Sequence, residues 1–130
     1  MDAVERGCAP IDPISEKVIG AAFKVANVLG CGFLEKIYEN ALAHELRKLG
    51  IKVEQQKSID VYYDGVLVGF YISDLFVEDQ LPVELKVAKA LDDAHFAQAL
   101  NFLKSSGFKV GLLINFGKSK IEIKRIVNSY

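Results

Sequence analysis

The spacing of apolar residues changes twice along this chain of 130 residues, and that change limits the folds it can adopt. From about residue 14 to residue 49, apolar side chains recur every three or four positions, as on one face of a helix. From 51 to 87 they alternate with polar residues, and β-branched and aromatic residues dominate, which predicts strands. A third helical segment and two more strands follow. The order predicts an α+β fold with a mixed sheet.

Local signals mark the ends of the first two helices. Asp12 and Pro13 are typical of a helix N-cap and a first-turn proline, and the apolar stripe that follows ends at Gly30. A second helix is predicted over residues 34–49, with Gly50 as its stop. Four apolar residues are expected among its inward-facing positions: Leu34, Ile37, Ala41 and Leu49.

The later elements follow from turn and stop signals. Asp64-Gly65 between two apolar runs predicts a tight hairpin, because a type I′ turn needs positive φ at both central residues. The next strands are predicted near 68–77 and 81–87. A third helix is predicted over 91–105, ending at Gly107. A buried strand over 110–116 and a strand nearer an edge over 121–127 complete the chain.

Length and composition set the domain organisation. A chain of this size commonly forms one domain, here predicted over 12–130, with 1–11 as a flexible N-terminal tail. No apolar stretch approaches the roughly 20 residues of a membrane span. The acidic start lacks the apolar core of a signal peptide, so a cytoplasmic location is expected. Cys8 and Cys31 have no clustered Cys or His beside them and are predicted to be free thiols.

The predicted strand 81–87 carries the residues of chemical interest. Its two-fold alternation puts Glu84 and Lys86 on one face and the apolar residues on the other. If a three-residue turn over 78–80 precedes it, Asp74 lies directly across the sheet from Glu84. Facing carboxylates repel, so a sheet built only for stability would avoid this pairing. A divalent cation removes the penalty, because hard cations prefer carboxylate oxygens.

The same residues also fit a simpler interpretation. A Glu-x-Lys pair on the outer face of an amphipathic strand is commonly a solvated ion pair. A shift of register by one residue would move Asp74 to the opposite face. The residues alone therefore leave a metal site and a surface ion pair as alternatives.

Asp74 with Val83-Glu84-Leu85-Lys86 resembles the Asp...Glu-x-Lys signature of the PD-(D/E)XK nuclease superfamily. Gly32-Phe33-Leu34-Glu35-Lys36-Ile37-Tyr38 is similar to the motif that names the GxxExxY family within it. Three further segments carry the same resemblance: 39–46, 61–65 and 110–116. The resemblance covers about residues 14–128. It implies a restriction-endonuclease-like core, in which helices flank a mixed sheet.

The resemblance also implies an active site and an activity. Asp74 and Glu84 would hold Mg²⁺ or Mn²⁺, helped by the backbone carbonyl of Leu85. Lys86 would orient or deprotonate the attacking water, or stabilise charge on phosphorus, and Glu35 would supply a further carboxylate. The implied activity is metal-dependent hydrolysis of phosphodiester bonds, with DNA as the expected substrate. Without this resemblance, the simpler interpretation of Glu35 is a solvated glutamate on the surface of a helix.

Gln98 and His95 are candidate accessory residues, whereas Phe102 and Ile72 differ from the residues that relatives carry at these positions. Some branches place a Gln, and a Tyr four residues later, on the helix after the Lys. Here Gln98 is followed by Phe102, which lacks the hydroxyl. His95, one turn earlier, would face the same cleft or be an exposed helix histidine. Ile72 stands where many relatives carry a basic residue, so that phosphate contact is missing.

Charge gives the main argument against a nucleic-acid enzyme. The formal net charge is -1, so there is no global attraction to DNA. Residues 104–125 nevertheless hold six basic residues and one acidic residue, a net of +5, and Lys118 and Lys120 are the candidate DNA contacts. Three functions stay open: a nuclease, a non-catalytic binding or adaptor module, and a purely structural domain. One domain of this size offers little surface to a duplex, which is compatible with a homodimer, although no residue of the sequence demonstrates one.

Overall fold

The computed structural model describes residues 12–128, which form three helices and one five-stranded sheet. The elements have the following bounds: α1 Pro13–Leu29, α2 Glu35–Lys48, β1 Val53–Tyr63, β2 Val66–Val77, β3 Leu81–Lys86, α3 Asp93–Ser106, β4 Val110–Asn115 and β5 Glu122–Val127. The strand order is β1-β2-β3-β4-β5, with β3 and β4 parallel and the other neighbours antiparallel. The predicted α+β fold with a mixed sheet is confirmed. The predicted tail, residues 1–11, lies outside the described range.

Helix ends follow the predicted signals closely. The Asp12 carboxylate caps α1 by accepting a hydrogen bond from the Ser15 backbone N–H at 2.9 Å. Gly30, with φ of 70°, ends this helix. Gly107 ends α3 in the left-handed conformation that glycine adopts without strain. The third helix starts at Asp93, two residues later than predicted, because Asp92 is its N-cap.

The predicted inward face of α2 is wrong. Leu34, Ile37 and Leu49 are exposed, whereas Ala41 is half-buried at the edge of the core. The helix instead buries another set of side chains: Tyr38, Glu39, Leu42, Ala43 and Leu46. Tyr38 fixes this rotation, because its ring stacks on Phe116 with centroids 4.6 Å apart and its hydroxyl donates to the Gly30 carbonyl at 2.5 Å.

Helices cover both faces of the sheet. The larger apolar core lies between α1, α2 and one sheet face, which contributes Leu85, Leu112 and Ile114. A smaller core lies under α3, where Phe102 and Leu103 pack with Ile126. Ile126 pairs with Gly111 in the β4–β5 ladder. Leu112 and Ile114 alternate with Gly111 along β4 and point to the other face, so the two cores lie on opposite faces of the sheet. This is the flanked sheet that the resemblance implied.

The two tight turns place the strands that carry the candidate site. Asp64 and Gly65 both have positive φ, 52° and 75°, as a type I′ hairpin requires. The turn over residues 78–80 then pairs Leu75 with Val83 and Val77 with Leu81. This is the predicted register, and its continuation places Asp74 opposite Glu84.

Two further expectations can be compared with the described residues. Cys31 is free and exposed, as predicted, and Cys8 lies outside the described range. None of the described helices combines the length and hydrophobicity needed to cross a bilayer.

Candidate metal and catalytic site

Asp74, near the end of β2, is fixed by two hydrogen bonds. Its Oδ2 accepts from the backbone N–H of Leu85 at 2.8 Å, which ties it to the strand that carries Glu84 and Lys86. Its Oδ1 accepts from the Gln56 side-chain amide at 3.2 Å. The carboxylate is therefore held beside β3, as the predicted register requires, and each oxygen keeps a further lone pair for another partner.

Glu84 is the most strongly perturbed carboxyl group in this region. It is largely buried, and it lines a small cavity together with Ala99 and Phe102 of α3. Burial first, and the negative charge of Asp74 second, raise its pKa to about 8 against the opposing charge of Lys86. Glu84 Oε1 is buried and has no hydrogen-bond partner among the described residues. A group of this kind needs a proton or a cation.

These two carboxylates fit a hard divalent cation. Glu84 Oε1 has no hydrogen-bond partner, and the negative charge of Asp74 repels the Glu84 carboxylate. A bound cation would offset both the lost hydration of Glu84 and the repulsion between the two carboxylates. Among residues 12–128, no group of three or more His, Cys, Asp or Glu side chains could hold a metal ion. The fit therefore rests on two carboxylates, with backbone oxygen and water as the remaining ligands that Mg²⁺ commonly keeps.

Lys86 and Glu35 approach the same pair from two elements. Lys86 is half-buried at the end of β3, and its charge lowers the pKa of both Glu84 and Glu35. Glu35 is the first residue of α2, and its pKa is raised by burial first and by the Asp74 charge second. Of the four predicted catalytic residues, Asp74 and Lys86 thus each interact electrostatically with both Glu84 and Glu35.

A network of polar side chains next to Asp74 was not predicted from the sequence. Glu39 of α2 is buried, and its Oε1 accepts from the Gln56 side chain at 2.6 Å. Its Oε2 accepts from Gln55 at 2.7 Å and from Lys36 at 2.9 Å. Gln56 donates to both Glu39 and Asp74 from a left-handed backbone conformation, with φ of 52°. The network couples α2 to the position of Asp74.

Tyr71 of β2 is a second residue that sequence reasoning missed. Its ring stacks on Phe102 with centroids 4.0 Å apart, and its hydroxyl lies near the Glu84 carboxyl group. Burial and the neighbouring Glu84 charge raise the pKa of this phenol, which stays protonated as a donor. Alternation in a strand gives no signal for such a contact, because it depends on how α3 packs.

A buried asparagine holds the chain after Lys86. The Asn115 side chain accepts from the backbone N–H of Ala88 and of Gly117, both at 2.9 Å. It donates to the Ala88 carbonyl at 3.0 Å and to Glu122 at 2.9 Å. A Cβ on Gly117 would come within 2.4 Å of the Ala88 backbone, so only glycine permits this approach. The end of β3 is thereby fixed to the end of β4.

The two predicted accessory residues, Gln98 and His95, both lie on α3. Gln98 lines an open groove of about 560 Å³ between α3 and β2, together with Tyr71 and Phe102. His95 belongs to a capping box, in which its Nδ1 accepts from the Asp92 backbone N–H at 3.1 Å. The role of the Leu85 carbonyl stays a prediction.

The predicted DNA contacts, Lys118 and Lys120, lie in the loop between β4 and β5. Lys118 Nζ lies 3.8 Å from Glu122 Oε2, and an open surface depression is lined by Lys118, Lys120 and Lys124. Their contact with nucleic acid stays a prediction.

An α+β sheet that places an Asp opposite the Glu of a Glu-x-Lys strand is the arrangement typical of PD-(D/E)XK nuclease domains. A family model described as the PD-(D/E)XK nuclease superfamily matches residues 12–126. The chain belongs to this superfamily. No curated protein matches it significantly.

Two solved structures resemble the fold. "Crystal structure of SSO0001" is 16% identical, with a TM-score of 0.55 over 89% of this chain. The chain spans 58% of the length of that protein. An alkaline exonuclease (LHK-Exo) from Laribacter hongkongensis is 13% identical, with a TM-score of 0.49, over 88% of this chain and 82% of its own.

Proposed function

We propose that the protein is a metal-dependent nuclease that hydrolyses phosphodiester bonds of DNA. The observation that carries the proposal is the buried Glu84 carboxyl group, which has a partnerless oxygen and faces Asp74 next to Lys86. A strand built only for stability would not bury a carboxylate against another one. Membership of the PD-(D/E)XK superfamily, whose nucleases generally use divalent metal ions, supports the same conclusion.

In this proposal Asp74 and Glu84 hold Mg²⁺ or Mn²⁺, with the Leu85 carbonyl as a third protein ligand. When bound, the ion supplies Lewis-acid polarisation of the phosphoryl oxygen and lowers the pKa of water. The residues of the chain have separate roles. Hydrogen bonds from Leu85 N–H and Gln56 hold Asp74 in place, and the Tyr71 hydroxyl lies near Glu84. Lys86 supplies positive charge to the attacking water or the phosphoryl group.

Glu35 is proposed as a further carboxylate of the site, because the charges of Asp74 and Lys86 both reach it. Gln98 is proposed as an accessory residue at the groove beside Tyr71. His95 is the weaker accessory candidate, since its Nδ1 is engaged in the helix cap. The GxxExxY subfamily is our proposal within the superfamily, based on Gly32, Glu35 and Tyr38. A cytoplasmic location stays a prediction.

The decisive experiment compares cleavage by the wild type and two matched variants. Labelled single- and double-stranded DNA are incubated with each protein at millimolar Mg²⁺ or Mn²⁺. Asp74→Asn should abolish cleavage, because it removes a negative ligand while keeping the side-chain shape. Asp93→Asn, an exposed change on α3, should leave cleavage unchanged. A wild type that binds DNA but cleaves none with either metal would instead establish the adaptor function.

Divalent metal should also stabilise the fold. The ion binds two carboxylates that repel each other when it is absent, and it has no such site in the unfolded chain. At a hundredfold excess over the dissociation constant, the gain in unfolding free energy should be about 2.7 kcal/mol. Thermal unfolding across a Mg²⁺ titration measures it, with Asp74→Asn as the control that should show no gain. An unchanged wild-type melting temperature, with no calorimetric heat, contradicts the site.

DNA binding should depend steeply on salt, because its contacts must come from a local basic region of a chain with net charge -1. Lys118→Ala with Lys120→Ala should weaken binding similarly for all DNA sequences and reduce the salt slope by about 2. Lys17→Ala with Lys48→Ala removes the same charge from exposed positions on α1 and α2 and is the control. Equal losses in both double variants would show that only net charge matters.

A further inference from the structure

One residue within a described strand has a left-handed backbone. Four non-glycine residues of the described range have positive φ, and three of them, Asp64, Glu78 and Asp79, lie in the two hairpin turns. The fourth, Gln56, lies within β1 and has φ of 52°. Glutamine lacks the short polar side chain that helps Asn and Asp adopt this conformation, so the backbone is strained at Gln56. Residues in such conformations persist only where their surroundings hold them, and they concentrate at functional sites.

The strained residue lies opposite Asp74. The two neighbours of Gln56 in β1 pair with Leu75 and Ser73 of β2, so the register is the same on both sides of it. This register places Gln56 directly across from Asp74, yet these two residues are not a regular pair of the ladder. The interruption of the ladder and the left-handed backbone therefore coincide at the residue that faces a candidate metal ligand.

The left-handed backbone changes the direction of the Gln56 side chain. In a regular strand, neighbouring side chains point to opposite faces of the sheet. Here Gln55 and Gln56 both donate to the buried Glu39 carboxylate of α2, Gln55 to Oε2 at 2.7 Å and Gln56 to Oε1 at 2.6 Å. Regular alternation would direct only one of the two toward α2, so the positive φ of Gln56 accounts for the second contact.

The redirected amide joins two carboxylates. An amide nitrogen has two hydrogens, and Gln56 Nε2 donates to Glu39 at 2.6 Å and to Asp74 Oδ1 at 3.2 Å. Glu39 is a fixed anchor, because it is only 3% exposed and also accepts from Gln55. The other Asp74 oxygen accepts from the Leu85 N–H. Gln56 thus supplies the second of two hydrogen bonds that together oppose rotation of the Asp74 carboxylate.

Neither packing nor the Glu39 contact accounts for the strain. Gln56 is exposed, so it gains little from burial. Gln55 and Lys36 also donate to Glu39, and both do so without a positive φ. The contact that Gln56 adds to theirs is the hydrogen bond to Asp74. The strained backbone is therefore best explained by that contact.

We propose that Gln56 is a positioning residue of the metal site, which holds the Asp74 carboxylate in the orientation that a divalent cation requires. Its left-handed backbone places the amide between Glu39, which anchors it, and Asp74, which it orients. The inference rests on the metal site of the proposed function and extends that site to a residue that acts through a ligand. Removing a residue that orients a metal ligand typically lowers metal affinity by about 10- to 100-fold.

Calorimetric titration of the metal-free full chain with Mn²⁺ tests this role. Gln56→Met keeps the length of the side chain but removes its N–H donors, and it should weaken Mn²⁺ binding by about 10- to 100-fold. Gln55→Met is the matched control, because it also removes a donor to Glu39 but none to Asp74. The control should bind Mn²⁺ as tightly as the wild type, although urea unfolding without metal should show a loss of stability in both variants.

Gln56→Gly keeps the test valid if Gln56→Met folds poorly. Glycine adopts the left-handed conformation without strain, so this variant removes the amide and the strain together. It should bind Mn²⁺ as weakly as Gln56→Met. If both Gln56 variants bind Mn²⁺ as tightly as the wild type, the positioning role is wrong and the metal site stands. Equal weakening in Gln55→Met would assign the effect to Glu39 and also overturn the role of Gln56. A wild type that binds no Mn²⁺ would refute the metal site itself, and the positioning role with it.

Discussion

Lys86→Met is expected to slow DNA cleavage by about 100-fold or more and to leave metal binding intact. The substitution keeps most of the side-chain stem but removes a charge beside Glu84, where a preorganised cation would stabilise the transition state or position the water. Loss of one such group typically costs about 10² to 10³ in rate. Metal affinity should hold or increase, because a like charge near the cation is gone.

Two measurements separate this role from a purely structural one. Single-turnover cleavage at saturating DNA and metal gives the chemical rate, and calorimetry with Mn²⁺ gives the metal affinity of the same variant. Lys89→Met makes the same change at an exposed position three residues later and should have little effect on the chemical rate. If Lys86→Met cleaves as fast as the wild type, Lys86 only screens the carboxylates. Loss of metal binding in Lys86→Met would also contradict the proposed separation of roles.

The facing carboxylates were predictable because their register depends on local chemistry. The turn over 78–80 fixes which residues of β2 and β3 oppose each other, and strand alternation then assigns their faces. Both signals lie within fifteen residues of sequence. The helix ends were predictable for a similar reason, because Asp12, Gly30 and Gly107 act on neighbouring backbone groups.

The surroundings of the site were not predictable, because they depend on packing between distant segments. No local pattern indicates that Glu39 is buried, because its partners Gln55 and Gln56 lie sixteen and seventeen residues away. The contact between Tyr71 and Glu84 depends on how α3 covers the sheet. The error on α2 has the same origin. Apolar periodicity alone does not determine its rotation, which is fixed by the contacts of Tyr38 with Phe116 and Gly30.

Glu84→Gln is expected to stabilise the metal-free protein, and increasingly so as the pH rises from 5 to 8. The pKa of Glu84 is raised from its ordinary value of 4.5 to about 8 in the folded protein, first by burial and then by Asp74. A carboxyl whose pKa is raised on folding contributes stability below its unfolded pKa, and that stability is lost as the pH rises through the folded pKa. Glutamine is neutral at every pH, so the variant does not lose this stability between pH 5 and pH 8. Since each pKa unit corresponds to about 1.4 kcal/mol and pH 8 is the midpoint of the folded titration, the variant should be more stable by about 4 kcal/mol at pH 8.

Mg²⁺ at a hundredfold excess over its dissociation constant should remove more than half of this difference at pH 8, because the cation stabilises ionised Glu84 in the wild type and finds one carboxylate fewer in the variant. Thermal or urea unfolding of both proteins at pH 5 and pH 8, with and without Mg²⁺, gives the four comparisons. Glu16→Gln, an exposed change in the first turn of α1, should follow the wild type in all of them. Equal stabilities of Glu84→Gln and the wild type at pH 8 without metal would show that Glu84 is not a strained buried carboxylate. A full Mg²⁺ response in the variant would show that the ion binds elsewhere, and in either case the metal site would have to be assigned to other residues.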